Sequence, residues 1–594
     1  MTVTPHPSLK GASFLIEDHP AEVTVTPEDF TEEQQMIART TEEFMEKEVF
    51  PHSEEIEHQN FELTIELLRR AGQLGLLSVE IPETYGGMGL DKVSAMIVSE
   101  KIGMHSSFSV TFGGHSGIGT APIVMFGTPE QKQKYLPKLA TAEMISAYAL
   151  TEPEAGSDAL AGKTRADLSP DGRHYVLNGS KMWITNAGFA DIFVTFAKIG
   201  GEKFSAFIVP RTTPGLIIGN EEKKMGIKGS STRALTFDNA LVPAENLLGE
   251  IGKGHKIAFN VLNLGRLKLA AGCVGVGKLA LRDAAQYARQ RHQFGRPISD
   301  FGLIKHKLAE MAIRLWIAES MVYRTAGLID HALAGIASDD QLQRMKAVEE
   351  YAIECAINKV MASEFLHYVV DEAVQIFGGN GYSQEYPVER YYRDARINRI
   401  FEGTNEINRL LITEMLARRA QSGHLPLREA VRRVATEGES AAPLSVSDED
   451  PLAAEKLMLT QAKKALLFVA GVALERYAAG LAEEQEVVGA LSDMIMEIFA
   501  IESGLMRAGK IIARRGHDAA QLQIAGIRTY TTQALMKVEM LAEIALTACS
   551  EGSELSRHLT TVRRLLRYVP PDTVAARRRL AHAVVEAGRY PLGE

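Results

Sequence analysis

At 594 residues the chain is too long for one hydrophobic core, and its 45% hydrophobic and 24% charged residues are those of ordinary globular domains. A formal charge of −10 argues against a general polyanion binder, and no uninterrupted apolar run approaches the roughly 20 residues of a membrane span. Three separated cysteines, Cys273, Cys355 and Cys549, have neither metal-ligand spacing nor a disulfide framework, which fits a reducing compartment and no metal site. The opening residues lack the basic, apolar and small-residue sequence of a secretory signal, so the cytoplasm is the expected location.

Residues 1–29 read as an N-terminal extension. From 30 to 147 the runs "TEEQQMIARTTEEFMEKEVF" and "LTIELLRRAGQLGLL" repeat apolar residues at three- and four-residue steps and predict a helical domain. Between 148 and 259 short runs such as "HYVLNGSKMWIT", "DIFVTFAKI" and "KFSAFIVP", punctuated by turns such as "SPDGR", predict a small antiparallel β-domain. Long helical patterns return over 260–420. The stretch 421–451 reads as a linker, because "TEGESAAPLSVSDEDPLAA" (436–454) is polar, acidic and proline-bearing. A further all-helical region fills 452–594. The expected fold is mainly α with a β middle domain. No Walker or Gly-x-Gly-x-x-Gly phosphate loop is present.

Five segments carry candidate chemistry. "YALTEPEAGSD" (148–158) holds a small-residue turn whose N–H groups and hydroxyls could hold phosphate or ring atoms, although ordinary polar turns look the same. "KMWITN" offers Trp183 for stacking and Thr185 for hydrogen bonding, with a core tryptophan as the competing reading. "ARQRHQFGRPI" (288–298) places Arg291 at a helix end, where it could meet a diphosphate or stay solvated. "QIFGGNGYSQEYPVERYYRD" (375–394) has Gly378, Gly379 and Gly381, suited to close backbone approach or to a plain interhelical loop. "IFEGTNEINR" (400–409) sets Glu402 among apolar residues ahead of a helix. It reads either as a helix N-terminal acid or as a general base whose pKa burial raises.

Together these segments resemble the acyl-CoA dehydrogenase family from about Phe30 to Arg419. "ALTEPEAGSDALA" and "QIFGGNGYSQEYPVERYYRD" look like its two signatures, and "FEGTNEI" looks like its catalytic-base segment. "LNGSKMWITNAGFADIF", "EKKMGIKGSSTR" and "FGLIKHKLAEM" are similar to the very-long-chain branch, which also has a C-terminal helical extension. The resemblance implies a helical N-terminal domain, a β-domain, a four-helix bundle and an additional helical domain. It implies FAD as cofactor and acyl-CoA as substrate, with Glu402 taking the α-proton while also capping the following helix by position. Some branches carry the base at the position of Gly265, and glycine cannot act as one. By motif, Tyr148, Leu150, Thr151, Gly156, Ser157, Trp183, Ile184 and Thr185 would line FAD. Arg291, Gln293, Phe294, Gln375, Gly378 and Gly379, with Thr404 and Glu406, would serve an FAD bound across a subunit interface. Ser157, Asn263, Arg266 and Gly403 would hold the CoA thioester.

The resemblance further implies a homo-oligomer, expected to be a dimer, and electron-transfer flavoprotein as acceptor in fatty acid β-oxidation. A long-chain preference follows from Gly113, Gly114 and Gly117, which leave room where bulkier residues close the acyl pocket of medium-chain members. Competing readings are an acyl-CoA oxidase, a non-catalytic assembly protein on the same fold, a DNA-associated flavoprotein and a simple acyl-CoA binder. The basic stretch 557–580 is expected to meet a membrane surface at the periphery rather than nucleic acid.

Overall fold

The computed structural model describes residues 9–337, 340–437 and 450–593. Most of the expected linker core, 438–449, therefore lies outside the described residues.

The N-terminal domain starts where Thr31 caps the helix Glu32–Phe44, its hydroxyl accepting from Gln34 N–H and the Gln34 side chain accepting from Thr31 N–H. The helices Phe61–Gln73, Lys92–Ile102, Ser106–Gly113, Ala121–Phe126 and Pro129–Ala140 follow. The chain then enters a sheet of eight strands: β1 (Ser146–Ala149), β2 (Arg165–Leu168), β3 (His174–Thr185), β4 (Ile192–Ile199), β5 (Lys203–Pro210), β6 (Leu216–Glu221), β7 (Thr232–Pro243) and β8 (Leu247–Leu248). Their order is β6-β7-β3-β2-β4-β5-β8, antiparallel except that β1 and β2 run parallel to β4.

Four long helices make the bundle: Gly254–Gln290, Gly302–Leu333, Ala352–Phe377 and Asn405–Ser422. The first is set close to its neighbours by what it lacks. A Cβ at Gly275 would lie 1.8 Å from the Glu100 carbonyl, one at Gly272 3.8 Å from Gly103 Cα, and one at Gly277 2.4 Å from Leu315 Cδ2. Omitting those methyls lets the backbone of the 92–102 helix and the Leu315 side chain of the 302–333 helix pack directly against this helix. The helices Ala453–Tyr477, Gln485–Arg515, Gln521–Cys549, Gly552–Leu565 and Thr573–Ala587 build the additional domain.

Three expectations are revised. The segment read as linker contains the helix Leu427–Glu437, whose Ala430 and Val434 are buried against Leu467. Charged residues interleave with those apolar ones, which hid the pattern. Residues 9–29, within the stretch read as an N-terminal extension, form a clasp on the C-terminal helices. Phe14 is fully buried, with its ring 4.9 Å from that of Phe499, and Arg507 holds Glu28 at 2.8 Å. Finally, Gly254–Gln290 and Ala453–Glu483 are long and apolar enough to cross a membrane, since scattered charges do not disqualify a helix. The most apolar window of the first is 72% buried, as in a core helix; that of the second is 28% buried.

The clasp ends in a buried ion network. Arg507 also donates to Glu319 Oε2 at 2.6 Å, Tyr590 donates to the same oxygen at 3.0 Å, and Lys278 bridges Glu319 to Glu100. Each carboxylate has a cation against it, so the desolvation cost is offset only while all segments are docked.

The packing argument predicts opposite effects for two helical glycines. Gly275→Ala should lower the thermal midpoint through overpacking of about 1–3 kcal/mol. Gly489→Ala, where a Cβ would meet nothing within 4 Å, should raise it through helix propensity of about 1 kcal/mol. Calorimetric scans showing both midpoints rising would refute the close-packing role.

Candidate active site

The loop from Ile400 to Thr404 joins a short 3-10 turn (Arg396–Arg399) to the 405–422 helix. Glu402 has φ 58° and Gly403 φ 82°, so two consecutive residues sit in the left-handed region. Glycine does this freely; a glutamate is strained there by about 1–3 kcal/mol and stays only if its surroundings hold it. Three side chains do so. Arg266 Nε donates to the Glu402 carbonyl at 3.1 Å, and Lys359 Nζ and Asn408 Nδ2 donate to the Gly403 carbonyl at 2.7 and 2.8 Å. Lys359 also binds Asn405 Oδ1 at 2.6 Å.

The helix cap is Thr404, whose hydroxyl accepts from Ile407 N–H at 3.2 Å, and this corrects the expectation that Glu402 caps by position. The strained backbone turns the Glu402 side chain toward the 254–290 helix. Its Oε2 is buried with no hydrogen-bond partner among the described residues. A Cβ at Gly265 would lie 2.9 Å from that oxygen, so the carboxyl occupies space that any side chain at 265 would need. A side chain at 265 would fit only if the Glu402 carboxyl moved aside. Burial raises the Glu402 pKa to about 7, while the cations of Arg266 and Lys359 hold it down.

Facing this loop is the head of the β-domain. Tyr148 on β1 is buried, its hydroxyl has no partner among the described residues, and burial together with the Glu402 charge raises its pKa well above the ordinary value. The next turn is pinned from below. Buried Lys181 donates to the Leu150 carbonyl at 3.1 Å and to Glu152 at 2.7 Å, and Glu152 accepts the Lys163 N–H at 2.5 Å. Thr151 is tied to β3 through Met182 N–H, which donates to its carbonyl at 3.0 Å. Gly156 and Ser157 lie exposed beyond it, and a Cβ at Gly156 would meet nothing within 4 Å.

Trp183 sits in a β-bulge where the β3–β7 register shifts, with φ 60°, and its side chain is 52% exposed. The bulge re-aims an indole that regular pleating would have placed otherwise, so the core reading of Trp183 fails. Ile184 is 2% exposed and belongs to the core, leaving only its backbone for a ligand. Thr185 packs against Gly114, where a Cβ would fall 2.8 Å from Thr185 Cγ2.

The remaining candidates divide. Asn263 accepts from Arg266 at 3.0 Å, so both residues face the Glu402 loop. Glu406 is exposed in the first turn of its helix, and its carboxyl is held below the ordinary range by its own N–H and the Thr404 side chain. Arg291, Gln293 and Phe294 lie on an exposed hairpin, Phe294 being 92% exposed, and Gln375, Gly378 and Gly379 are exposed as well. These two segments share one end of the bundle, since Tyr287 stacks on Phe377 at 4.0 Å and accepts from Asn380 at 3.0 Å. Sequence reasoning missed Lys359 and Asn408; a lysine inside the apolar run "ECAINKVMASEF" was the available signal.

Family models match four consecutive parts of the chain: the acyl-CoA dehydrogenase N-terminal domain over 31–143, the middle domain over 147–240, a C-terminal domain over 252–417 and a second C-terminal domain over 461–564. A Bacillus subtilis protein described as a probable acyl-CoA dehydrogenase is 49% identical over 588 residues, 98% of both chains. The chain belongs to the acyl-CoA dehydrogenase family. The human mitochondrial very long-chain specific acyl-CoA dehydrogenase is 36% identical over 522 residues, covering 83% of this chain and 77% of that one. The structure is similar to a crystal structure of a Bacillus anthracis acyl-CoA dehydrogenase complexed with FAD, with TM-score 0.97 and 48% identity over 98% of this chain and all of that one.

For a dehydrogenase that uses Glu402 as base, only the deprotonated carboxylate accepts the proton. The rate per encounter, kcat/KM, should therefore fall as pH drops through about 7. Lys359→Met removes a cation that holds the carboxyl down and should move that limb to higher pH. A limb unchanged in the variant would show that another group titrates.

Proposed function

We propose that this enzyme dehydrogenates long-chain fatty acyl-CoA to the trans-2-enoyl thioester in fatty acid β-oxidation, passing electrons to electron-transfer flavoprotein. The observation that carries this reading is the Glu402 carboxyl, with its Oε2 buried and unpartnered among the described residues, seated on Gly265 and raised toward neutrality. Glu402 takes the α-proton. Its own N–H has no protein acceptor among the described residues and is available to the thioester oxygen, where negative charge develops as the proton leaves. Arg266, Lys359 and Asn408 act through the loop, fixing the carboxyl by holding its backbone.

FAD is the cofactor, and when bound it supplies the acceptor for the β-hydrogen. The residues present fit it: a half-exposed Trp183 on a bulge, the Thr151 turn pinned to β3, Thr185 beside it, and an open, glycine-bearing turn at Gly156 and Ser157. Arg291, Gln293, Phe294, Gln375, Gly378 and Gly379 would reach an FAD held by a second subunit, which makes a homodimer part of the proposal. Full FAD binding by a monomer in sedimentation would count against it. Cytoplasmic location with peripheral lipid contact is also proposed. Met536, Met540 and Ile544 stand exposed at four-residue steps on the 521–549 helix, and Arg563 of the adjoining basic helix reaches Glu543 at 2.6 Å. Vesicle co-sedimentation unaffected by Met536→Ser with Met540→Ser would count against the lipid contact.

Replacing Glu402 with Gln should leave FAD content near normal and slow anaerobic bleaching of the flavin by acyl-CoA by on the order of 10² to 10⁴. Bleaching at the parental rate would place the base elsewhere. Reoxidation of the bleached enzyme by electron-transfer flavoprotein, and not by oxygen, would separate a dehydrogenase from an oxidase.

The long-chain reading is supported by a cavity of about 640 Å³ between the N-terminal helices and the bundle, walled by Leu76, Val98, Phe112, Ser116 and Leu264. Leu264 adjoins Gly265, and Phe112 adjoins Gly113. The expected roles of the three glycines divide here. Gly114 is a packing glycine against Thr185; a Cβ at Gly113 would meet nothing within 4 Å, and one at Gly117 would be 3.7 Å from Lys268, which lines the cavity. None of the three lines the cavity, whereas Ser116, on the same stretch, does, so a substitution that shortens the chain preference belongs at 116. Ser116→Gln should lower kcat/KM for a C16 thioester relative to C8 by more than about tenfold, given about 0.8 kcal/mol per buried methylene. An unchanged chain-length profile would show that the tail runs elsewhere.

A further inference from the structure

The cavity is not uniformly apolar. Lys132, on the 129–140 helix, lines it while only 8% exposed, and Arg344, on the helix Gln341–Glu349, lines it beside Lys132. Neither has a carboxylate partner among the described residues. Lys132 has no hydrogen-bond acceptor there, and Arg344 reaches only the Ile336 carbonyl, at 3.5 Å. With no carboxylate against them, the two cations are left to water or to the anionic group of a ligand. Burial and the Arg344 charge both press the Lys132 pKa down.

The other ionic group on the wall is different. Glu80 is closed between Lys92, at 2.5 Å, and Lys268. That cluster satisfies its own carboxylate, and with Lys132 and Arg344 the lining carries four cations against one acid. The same walls carry Leu76, Val79, Val98, Phe112, Val124 and Leu264. A plain alkyl chain would suit these walls and leave Lys132 stranded. An inorganic anion would suit Lys132 and gain nothing from the walls. The ligand that matches both is an aliphatic chain ending in a carboxylate.

We propose that this cavity selects acyl-CoA substrates whose chain carries a second carboxylate at the end remote from the thioester, held by Lys132 and Arg344. The inference rests on the acyl-CoA reading above and narrows its substrate class. The carboxylate would accept charge-assisted hydrogen bonds from both cations, and the chain would fill the apolar section between them and Glu402.

The test compares, on the FAD-loaded full-length enzyme, hexadecanoyl-CoA with the mono-CoA thioester of hexadecanedioic acid. The wild type should favour the second in kcat/KM, and Lys132→Met and Arg344→Met should each reduce that ratio by about tenfold to a hundredfold. Lys132→Glu should invert the ratio by repelling the tail carboxylate, and the hexadecanoyl rate in the same preparation reports whether each variant is folded. A wild-type enzyme that oxidises the plain chain without preferring the diacid, or a ratio unmoved in all three variants, overturns the tail site alone. An enzyme that keeps its FAD and oxidises neither thioester overturns the acyl-CoA reading, and the tail site falls with it.

Discussion

What does not project from the 254–290 helix determines where everything else can stand. At Gly275 and Gly277 the missing Cβ atoms admit the Glu100 carbonyl and the Leu315 side chain, which sets the distances from this helix to the N-terminal domain and to the next bundle helix. At Gly265 the same device admits a carboxyl group. One helix thus serves as both spacer and floor of the candidate site, and the glycines that weaken it locally by about 1 kcal/mol each are offset by the contacts they permit. The 3-10 clasp and the network around Arg507 and Glu319 then lock the outer helices onto this centre. Their buried charges favour the fully docked arrangement over any partly docked one, because an undocked segment would leave a charge unpaired.

Element types were legible in the sequence because apolar periodicity is a local property. The helices of the N-terminal domain, the alternating strands and the bundle all carry it. The clasp did not, since a run of 3-10 turns has no period, and Phe14 shows its purpose only beside Phe499. The Leu427–Glu437 helix was hidden by charges that read as linker. Glu402 could be singled out from its apolar flanks, yet the two features that suit it to the role of a base could not. Its positive φ is a backbone property, and the absence of a side chain at 265 matters only because a segment more than a hundred residues away folds over it.

Lys359 and Trp183 make the same point from opposite sides. Lys359 looked like one polar residue in an apolar helix; its meaning depends on two carbonyls, those of Gly403 and Asn405's amide, that only the folded loop presents. Trp183 was ambiguous between core and site until the bulge placed its indole outward. In both cases the residue type was visible and the direction of the side chain was not. Direction is decided by register shifts and left-handed residues, which short-range patterns do not encode.

The active-site loop concentrates features that each lower stability: a glutamate with φ 58°, a buried carboxyl without a partner, and a lysine whose pKa burial lowers to about 8. They persist because Arg266 and Lys359, the two cations that hold the loop together with Asn408, come from two helices with long buried faces. The cations are bonded to backbone carbonyls and not to the carboxyl itself. That distinction has a chemical consequence. A direct ion pair would pull the Glu402 pKa far below neutrality and leave a weak base; cations at one remove steady the loop and temper the pKa while leaving the carboxylate oxygens free to take a proton. Rigidity and basicity, which a salt bridge would set against each other, are here supplied by different atoms of the same residue.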